Sequence, residues 1–374
     1  MNIPLDKTLD VEVVERHLAE LWQKTAGKGG TEDEFAVLRA RVANLLVYVS
    51  NAATLEEVEG ILEELTAIHP SRVLLMLGEP EAAEHDIEMS VETLNVTDNR
   101  SGDVRLCCEE VMLKASGSFT SEIPSAALPL LVPDLTTFLW WRTALQGDNQ
   151  VFRDLLKASD RLIVDSAEFI EPAAELLEIS RLFKVEDHAH VGISDLNWAR
   201  LTSWCALLAG FYDVAGCRPM LDELELVSID YLAPKHSTEA VAPQALLIAG
   251  WLASRLGWEL VEGNQAGSFV FHGSRRQPIT LELKRVERAE GKPGRLVQVQ
   301  LQSKATQSAS FTVFRSENNL HLTTETRIKT DVHGGRVLPV RNRSAARLLS
   351  REMEILCNDK IYQEAVAMAA RMLG

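Results

Sequence analysis

Two aspartates stand where a reaction could be run. Asp134 and Asp165 each lie near the end of an apolar segment. Ligands of open α/β sheets bind beyond the carboxyl ends of strands, so the two could act there as a general acid–base pair. The competing reading is local: Asp134 shapes a turn after Pro133, and Asp165 caps the segment that follows its strand. His188 and His190, after Glu186-Asp187, have ligand chemistry. Two ligands rarely make a metal site, and no third lies nearby in sequence, so a polar loop competes and no metal is assigned. Arg343, Arg347 and Arg351 recur every four residues on one predicted helix, with Arg336 and Arg341 close by. They could hold a phosphate or an acidic partner; the alternative is a solvated face paired with Glu352 and Glu354. Gly27-Lys-Gly-Gly-Thr31 lacks the four-residue gap of a phosphate loop and follows a helix, which makes it a linker. Local spacing reveals no nucleophile–base pair, so no catalytic residue is assigned.

Five cysteines, an odd number in a long chain, do not make a disulfide framework. Cys107 and Cys108 are adjacent and would point to opposite faces of a strand. Cys205 and Cys217 could pair only if the chain turns back. Trp140 and Trp141 are also consecutive, so on extended chain each needs its own buried environment or a partner. Aromatic residues and Arg are enriched in binding hot spots, which suits Trp141 and Arg142.

The elements that must position these groups follow from periodicity. Helices are predicted over 9–24, over 32–49 with Thr31 and Glu34 as a capping box, and over 55–67 from Thr54. Strands are predicted over 71–77 and 87–96; 104–115 is a third strand candidate whose Glu109–Glu110 pair leaves a helix open, and a short helix follows over 124–130. The tryptophan run, a helix over 149–158, a strand over 161–164 and a helix over 171–183 follow. Asp195 can cap a helix from Leu196 to Phe211. The last third alternates as an antiparallel sheet does: 258–262, 268–272, 279–286, 296–302, 311–315 and 320–328. A helix precedes that sheet at 243–256. Two more, at 344–356 and 360–373, would cover its buried face. The fold class is therefore α/β and α+β: N-terminal helices (1–70), an α/β layered domain (71–215) and a C-terminal antiparallel sheet covered by helices (216–374).

The 374 residues suggest two or three domains. A formal charge of −16 disfavours nucleic acid, which needs cations to displace counterions, and permits docking on a basic protein surface. No apolar run reaches the ~18 residues of a membrane span. The first residues lack a signal-peptide pattern, so a cytoplasmic location is expected.

Leu131-Val-Pro-Asp-Leu-Thr-Thr-Phe-Leu-Trp-Trp-Arg142 and Asp195-Leu-Asn-Trp-Ala-Arg-Leu-Thr-Ser-Trp204 lie in order on either side of Ser159-Asp-Arg-Leu-Ile-Val-Asp-Ser166. Together they resemble OpcA, the bacterial glucose-6-phosphate dehydrogenase assembly proteins. The resemblance runs from about Ala67 through Asp213 and continues less specifically to the C-terminus. It implies a protein without catalysis or cofactor of its own that assembles and allosterically activates glucose-6-phosphate dehydrogenase in the oxidative pentose phosphate pathway. Trp140, Trp141, Arg142, Trp198, Arg200 and Trp204 are then the partner-binding candidates. In phototrophs the family is linked to thioredoxin control, which makes Cys205 and Cys217 redox candidates and thioredoxin a second partner. The competing function is an enzyme or binding protein for sugar phosphates, built on Asp134, Asp165 and the arginine stripe.

Overall fold

The computed structural model describes residues 2–4, 11–27, 36–39, 42–97, 104–233, 241–263, 267–287, 292–304, 308–340, 344–355 and 357–374. Thr31, Glu34, Arg341, Arg343 and the side chains of Cys107 and His188 lie outside the described residues. The chain opens with β1 (Asn2–Pro4), α1 (Val11–Gly27), β2 (Ala36–Arg39), β3 (Ala43–Val49), α2 (Ala52–Ile68) and β4 (Ser71–Glu79). Next come β5 (Ile87–Thr97), β6 (Val104–Ser116), α3 (Ile123–Ala127), β7 (Thr137–Trp141), α4 (Gln150–Lys157) and β8 (Arg161–Val164). Then follow α5 (Pro172–Leu182), β9 (Gly192–Asp195), α6 (Leu196–Ala199), α7 (Thr202–Gly210), β10 (Leu224–Leu232) and α8 (Pro243–Arg255). Six strands succeed them: β11 (Glu259–Gly263), β12 (Ser268–His272), β13 (Pro278–Val286), β14 (Leu296–Ser303), β15 (Ala309–Arg315) and β16 (His321–Ile328). The last elements are β17 (Asp331–Pro339), α9 (Ala345–Glu354) and α10 (Lys360–Leu373). Among the described residues no helix is long and apolar enough to cross a membrane.

Two compact units are assembled from interleaved stretches. The first takes Met1–Val164, Val185–Ser194 and Arg343–Asn358; the second takes Asp165–Lys184, Asp195–Asn342 and Asp359–Gly374.

The sheet of the first unit runs β1-β5-β6-β4-β3-β7-β8-β9, with β2 also on β6. From β6 through β8 the pairings are parallel; β5 and β1 are antiparallel additions. β3 and β4 are near-continuous apolar runs, as strands covered on both faces should be. The predicted helix over 32–49 is thereby corrected to strand at 36–39 and 43–49. A run as apolar as Leu45-Leu-Val-Tyr-Val49 fits a buried parallel strand as well as a buried helix. The cap of α2 is also corrected. Asn51, not Thr54, occupies the position, and its Oδ1 accepts from the Thr54 N–H at 2.8 Å.

Arg72 on β4 is a buried cation of this unit. Its Nε donates to Glu109 at 2.9 Å and its Nη1 to Glu15 at 2.6 Å and the Leu130 carbonyl at 2.8 Å. Helix α9 belongs to this unit too. It packs on α2, with Ser344 Oγ donating to Glu64 at 2.7 Å. That corrects the expectation that the 344–356 helix covers the C-terminal sheet.

The second unit holds a sheet ordered β11-β12-β13-β10-β14-β15-β16-β17. Its neighbours pair antiparallel, except that β10 and β13 run parallel. Strands β10 and β17 fall outside those that alternation predicts. β10 does carry the signal: Val227, Ile229 and Tyr231 are buried and alternate with Ser228 and Asp230. Helices α8 and α10 pack closely. At Gly250 a Cβ would sit 2.2 Å from the Ala365 carbonyl oxygen, so only glycine permits that approach. The predicted single helix over 196–211 is interrupted. At Leu201 the backbone tightens, its N–H reaching Trp198 O at 2.8 Å, and α7 starts anew at Thr202.

Arg72→Ala removes the guanidinium that faces the buried Glu109 carboxylate. A loss of about 3–5 kcal/mol is expected by denaturant unfolding, with Arg72→Ala/Glu109→Gln recovering part of it. Equal stability of the single variant and the wild type would show that the pair is not holding this unit.

Candidate functional site

The motif Asp195–Trp204 folds into a buried polar centre of the second unit. Asp195 ends a strand in extended backbone, and its Oδ1 accepts from the N–H groups of Asn197 at 2.8 Å and Ser166 at 3.0 Å. Its Oδ2 accepts from the Tyr362 hydroxyl at 3.3 Å. Asn197 Nδ2 donates to Ser166 Oγ at 3.0 Å, and Asn197 Oδ1 accepts from Gln244 Nε2 at 2.7 Å. Gln244 Oε1 in turn accepts the Leu296 N–H at 3.0 Å. All of these side chains are buried. Burial, then the nearby charge of Asp165, pushes the Asp195 carboxyl up to about 6.

Asp165 caps the turn Ser166–Glu168, its Oδ1 accepting the Ala167 N–H. Arg200 clamps both its oxygens at 2.7 and 2.8 Å. This bidentate guanidinium pair occupies a lone pair on each oxygen and fixes the orientation of the carboxylate. Trp198 Nε1 donates to Asp359 at 2.9 Å, and its ring lies against Tyr362. Trp204 is fully buried under the Arg315 guanidinium, 5.7 Å from the ring centre.

In the first unit, β3 has β4 on one side and β7 on the other, which makes the gap between β3 and β7 a topological switch point. That point is closed by the protein's own side chains. Trp141 stacks on Tyr48 at 4.3 Å, its Nε1 donates to Ala144 O, and Phe152 meets its edge. Arg142 pairs with Glu57 at 3.2 Å and lies over the Trp140 ring, while Thr143 donates to Ser50 at 2.8 Å. The loop after β3 reads Ser50-Asn-Ala-Ala-Thr54, without the glycines that let a pyrophosphate approach the backbone. A dinucleotide does not fit there. Trp140 and Trp141 are both core residues, and Arg142 locks the end of the strand that carries them.

The other candidates are dispersed. Asp134 is exposed at φ +64°, the turn position, in the first unit, whereas Asp165 is in the second. Arg347 pairs with Glu64 at 3.5 Å, and Arg351 is exposed on the same helix; Arg336 belongs to the other unit. Among the described residues no cluster of His, Cys, Asp or Glu is placed to hold a metal. Cys108, Cys205, Cys217 and Cys357 are free thiols. Burial pushes Cys205 up to about 12, away from the thiolate that exchange chemistry needs; Cys357 is exposed. The second unit also holds a cavity of about 510 Å³ lined by Phe169, Ile170, Pro172, Tyr231, Arg285 and Pro293. Ser166, Asn197, Gln244 and Tyr362 complete the polar centre round Asp195, and spacing does not single them out. Their one sequence signal is a polar group set in an apolar helix or strand end.

These features define a mixed α/β protein of two units, each organised round a large sheet. Family models match both halves: the glucose-6-phosphate dehydrogenase subunit N-terminal domain over residues 62–181 and the corresponding C-terminal domain over 191–366. The chain belongs to the OpcA family. It is 26% identical over 332 residues to a relative from Synechocystis sp. and 29% identical over 332 residues to one from Nostoc punctiforme. Both carry OxPP cycle protein OpcA as a provisional name. The matches cover 85% and 83% of this chain but 66% and 67% of those relatives, so the chain spans about two thirds of their length. Among solved structures it is similar to a 3-ketoreductase from Actinomadura kijaniata, at TM-score 0.49 and 10% identity over 88% of this chain and 96% of that one. The oxidoreductase YvaA from Bacillus subtilis follows at TM-score 0.47 and 9% identity, over 88% of this chain and 95% of that one. Neither likeness says anything about chemistry.

Asp195→Asn keeps the accepting oxygen and removes the charge. The native Asp195 value, about 6, lies above its ordinary 3.8. The native state therefore binds the extra proton, and the Asp195 contribution to stability falls as pH rises through that window. Unfolding of both proteins across it should show this slope in the wild type and its loss in Asp195→Asn. Parallel curves would place the charge elsewhere.

Proposed function

We propose that this chain is a non-catalytic assembly factor and allosteric activator of glucose-6-phosphate dehydrogenase, acting in the oxidative pentose phosphate pathway by protein–protein binding. The observation that carries the reading is the pair of dehydrogenase-subunit family matches, over 62–181 and 191–366. Two features of the chain support the absence of catalysis. Asp165 is engaged at both oxygens, and the switch point is filled by Trp141, Tyr48 and Arg142. Activation requires tighter binding to the active state of the dehydrogenase than to the inactive one. Binding is then reciprocal: substrate on the dehydrogenase tightens the complex.

A second reading, a binding site for sugar phosphates, draws on the second-unit cavity. Arg285 reaches its wall, with Nε donating to Tyr231 at 3.2 Å. Calorimetric titration of glucose 6-phosphate into the chain without the dehydrogenase decides it: heat of binding that vanishes in Arg285→Ala would favour this reading.

Initial rates of the cognate dehydrogenase against substrate, with rising amounts of this chain, test the main reading. A saturable fall in KM or rise in kcat is expected; no change at any ratio would overturn it. Trp141→Ala should lose about 3–5 kcal/mol of stability and lose activation in the same proportion. Activation lost with stability intact would return Trp141 to a partner surface. With the half-buried Cys205 thiol pushed up to about 12, activation is expected not to respond to reductant through Cys205. A response abolished by Cys205→Ser or Cys217→Ser would establish the thiol switch, with thioredoxin as its natural partner.

A further inference from the structure

Helix α2 carries Glu56, Glu57, Glu59, Glu63 and Glu64 and no basic residue. Two of these have partners: Glu57 takes Arg142, and Glu64 takes Arg347 and Ser344. Glu59 and Glu63 lie near a face of the sheet where strand parity puts two more carboxylates. On β6, Glu109 turns to Arg72, so Glu110 turns to the opposite face. Cys108 shares that face and donates its thiol to Thr66 O of α2. The antiparallel partner of Glu110 on β5 is Glu92. Like charges directly across a ladder are destabilising.

Glu110 is only 6% exposed, yet it makes no hydrogen bond or ion pair to any described residue. Its electrostatic neighbours are Glu92, Glu59 and Glu63. On the β4 side it meets Val73. Among the described residues of β6, the cation on that face is Lys114, four residues along and opposite Glu88. A largely buried side chain whose carboxylate has three others as its electrostatic neighbours and no described cation beside it is a site that favours positive charge. Among the described residues, no such group is arranged to hold a metal ion. A cation that spreads its donors over several carboxylates, as guanidinium and ammonium groups do, suits it better.

We propose that Glu59, Glu63, Glu92 and Glu110 form a docking site for a Lys- or Arg-bearing segment of a partner protein. The chemistry follows from these four residues; that the partner is the dehydrogenase rests on the function proposed above. Burial, then Glu92, Glu59 and Glu63, pushes Glu110 up to about 7. An incoming cation favours its ionised form, so docking releases a proton and tightens as pH rises toward and through that value.

The test uses the full chain and two probes, the cognate dehydrogenase and an oligo-arginine peptide. Glu59→Lys/Glu63→Lys is compared with Glu81→Lys/Glu84→Lys, which makes the same charge change at exposed positions of the same unit. The first variant should weaken both probes about tenfold or more, and the control far less. Glu110→Gln should flatten the pH dependence of peptide binding. Equal weakening by both double variants, or peptide binding unchanged in Glu59→Lys/Glu63→Lys, would overturn the site. If the peptide discriminates but the dehydrogenase binds no form of the chain, the site stands and the proposed function falls. If the dehydrogenase binds wild type and Glu59→Lys/Glu63→Lys alike, the function stands and the site falls.

Discussion

The second unit depends on one buried carboxylate. Asp195 leaves β9 and, with two accepting contacts, sets both the first turn of α6 and the Ser166 turn. An uncompensated carboxylate in that position would cost far more than any one packing contact returns. It is tolerated because every polar group around it has a partner: Ser166, Asn197, Gln244, Tyr362 and the Leu296 backbone form one connected set. Such a network holds α6, α8, α10 and β14 to a single mutual arrangement, since shifting any one of them leaves a buried donor or acceptor unmet.

The same physics produces the opposite result in the first unit. Glu109 and Glu110 are neighbours in sequence and face opposite sides of one strand. Glu109 is answered by Arg72, Glu110 by more carboxylates. One is a finished internal contact; the other carries the character of a surface meant to be completed from outside. An acidic chain can keep such a patch soluble, because net charge opposes self-association while a basic partner is drawn in.

Periodicity placed most of the elements because their patterns are unambiguous. The alternating β13 and β14 and the helices α4, α5, α8 and α10 lie within a few residues of where spacing puts them. The exceptions share a cause. β3 is too uniformly apolar to show a period of two, so it resembles a buried helix. Helix α9 has an apolar stripe that would fit any open face, and its stripe does not specify α2 as the neighbour. The motifs pointed to the right segments, but the roles of their aromatic residues were not legible. A tryptophan in the core and a tryptophan at an interface are the same residue type with the same need for burial.

The sequence by itself determined the mixed α/β class, the two motif segments, the acidic character and the family, because these rest on local pattern and residue identity. Only the tertiary structure decided which charges are answered. Asp165 meets Arg200, Arg72 meets Glu109 and Glu15, and Glu110 meets no described cation. Those outcomes depend on which strand faces and helix flanks come within ~4 Å of one another. Such distances are set by register and packing across residues far apart in the chain, where local spacing carries no information.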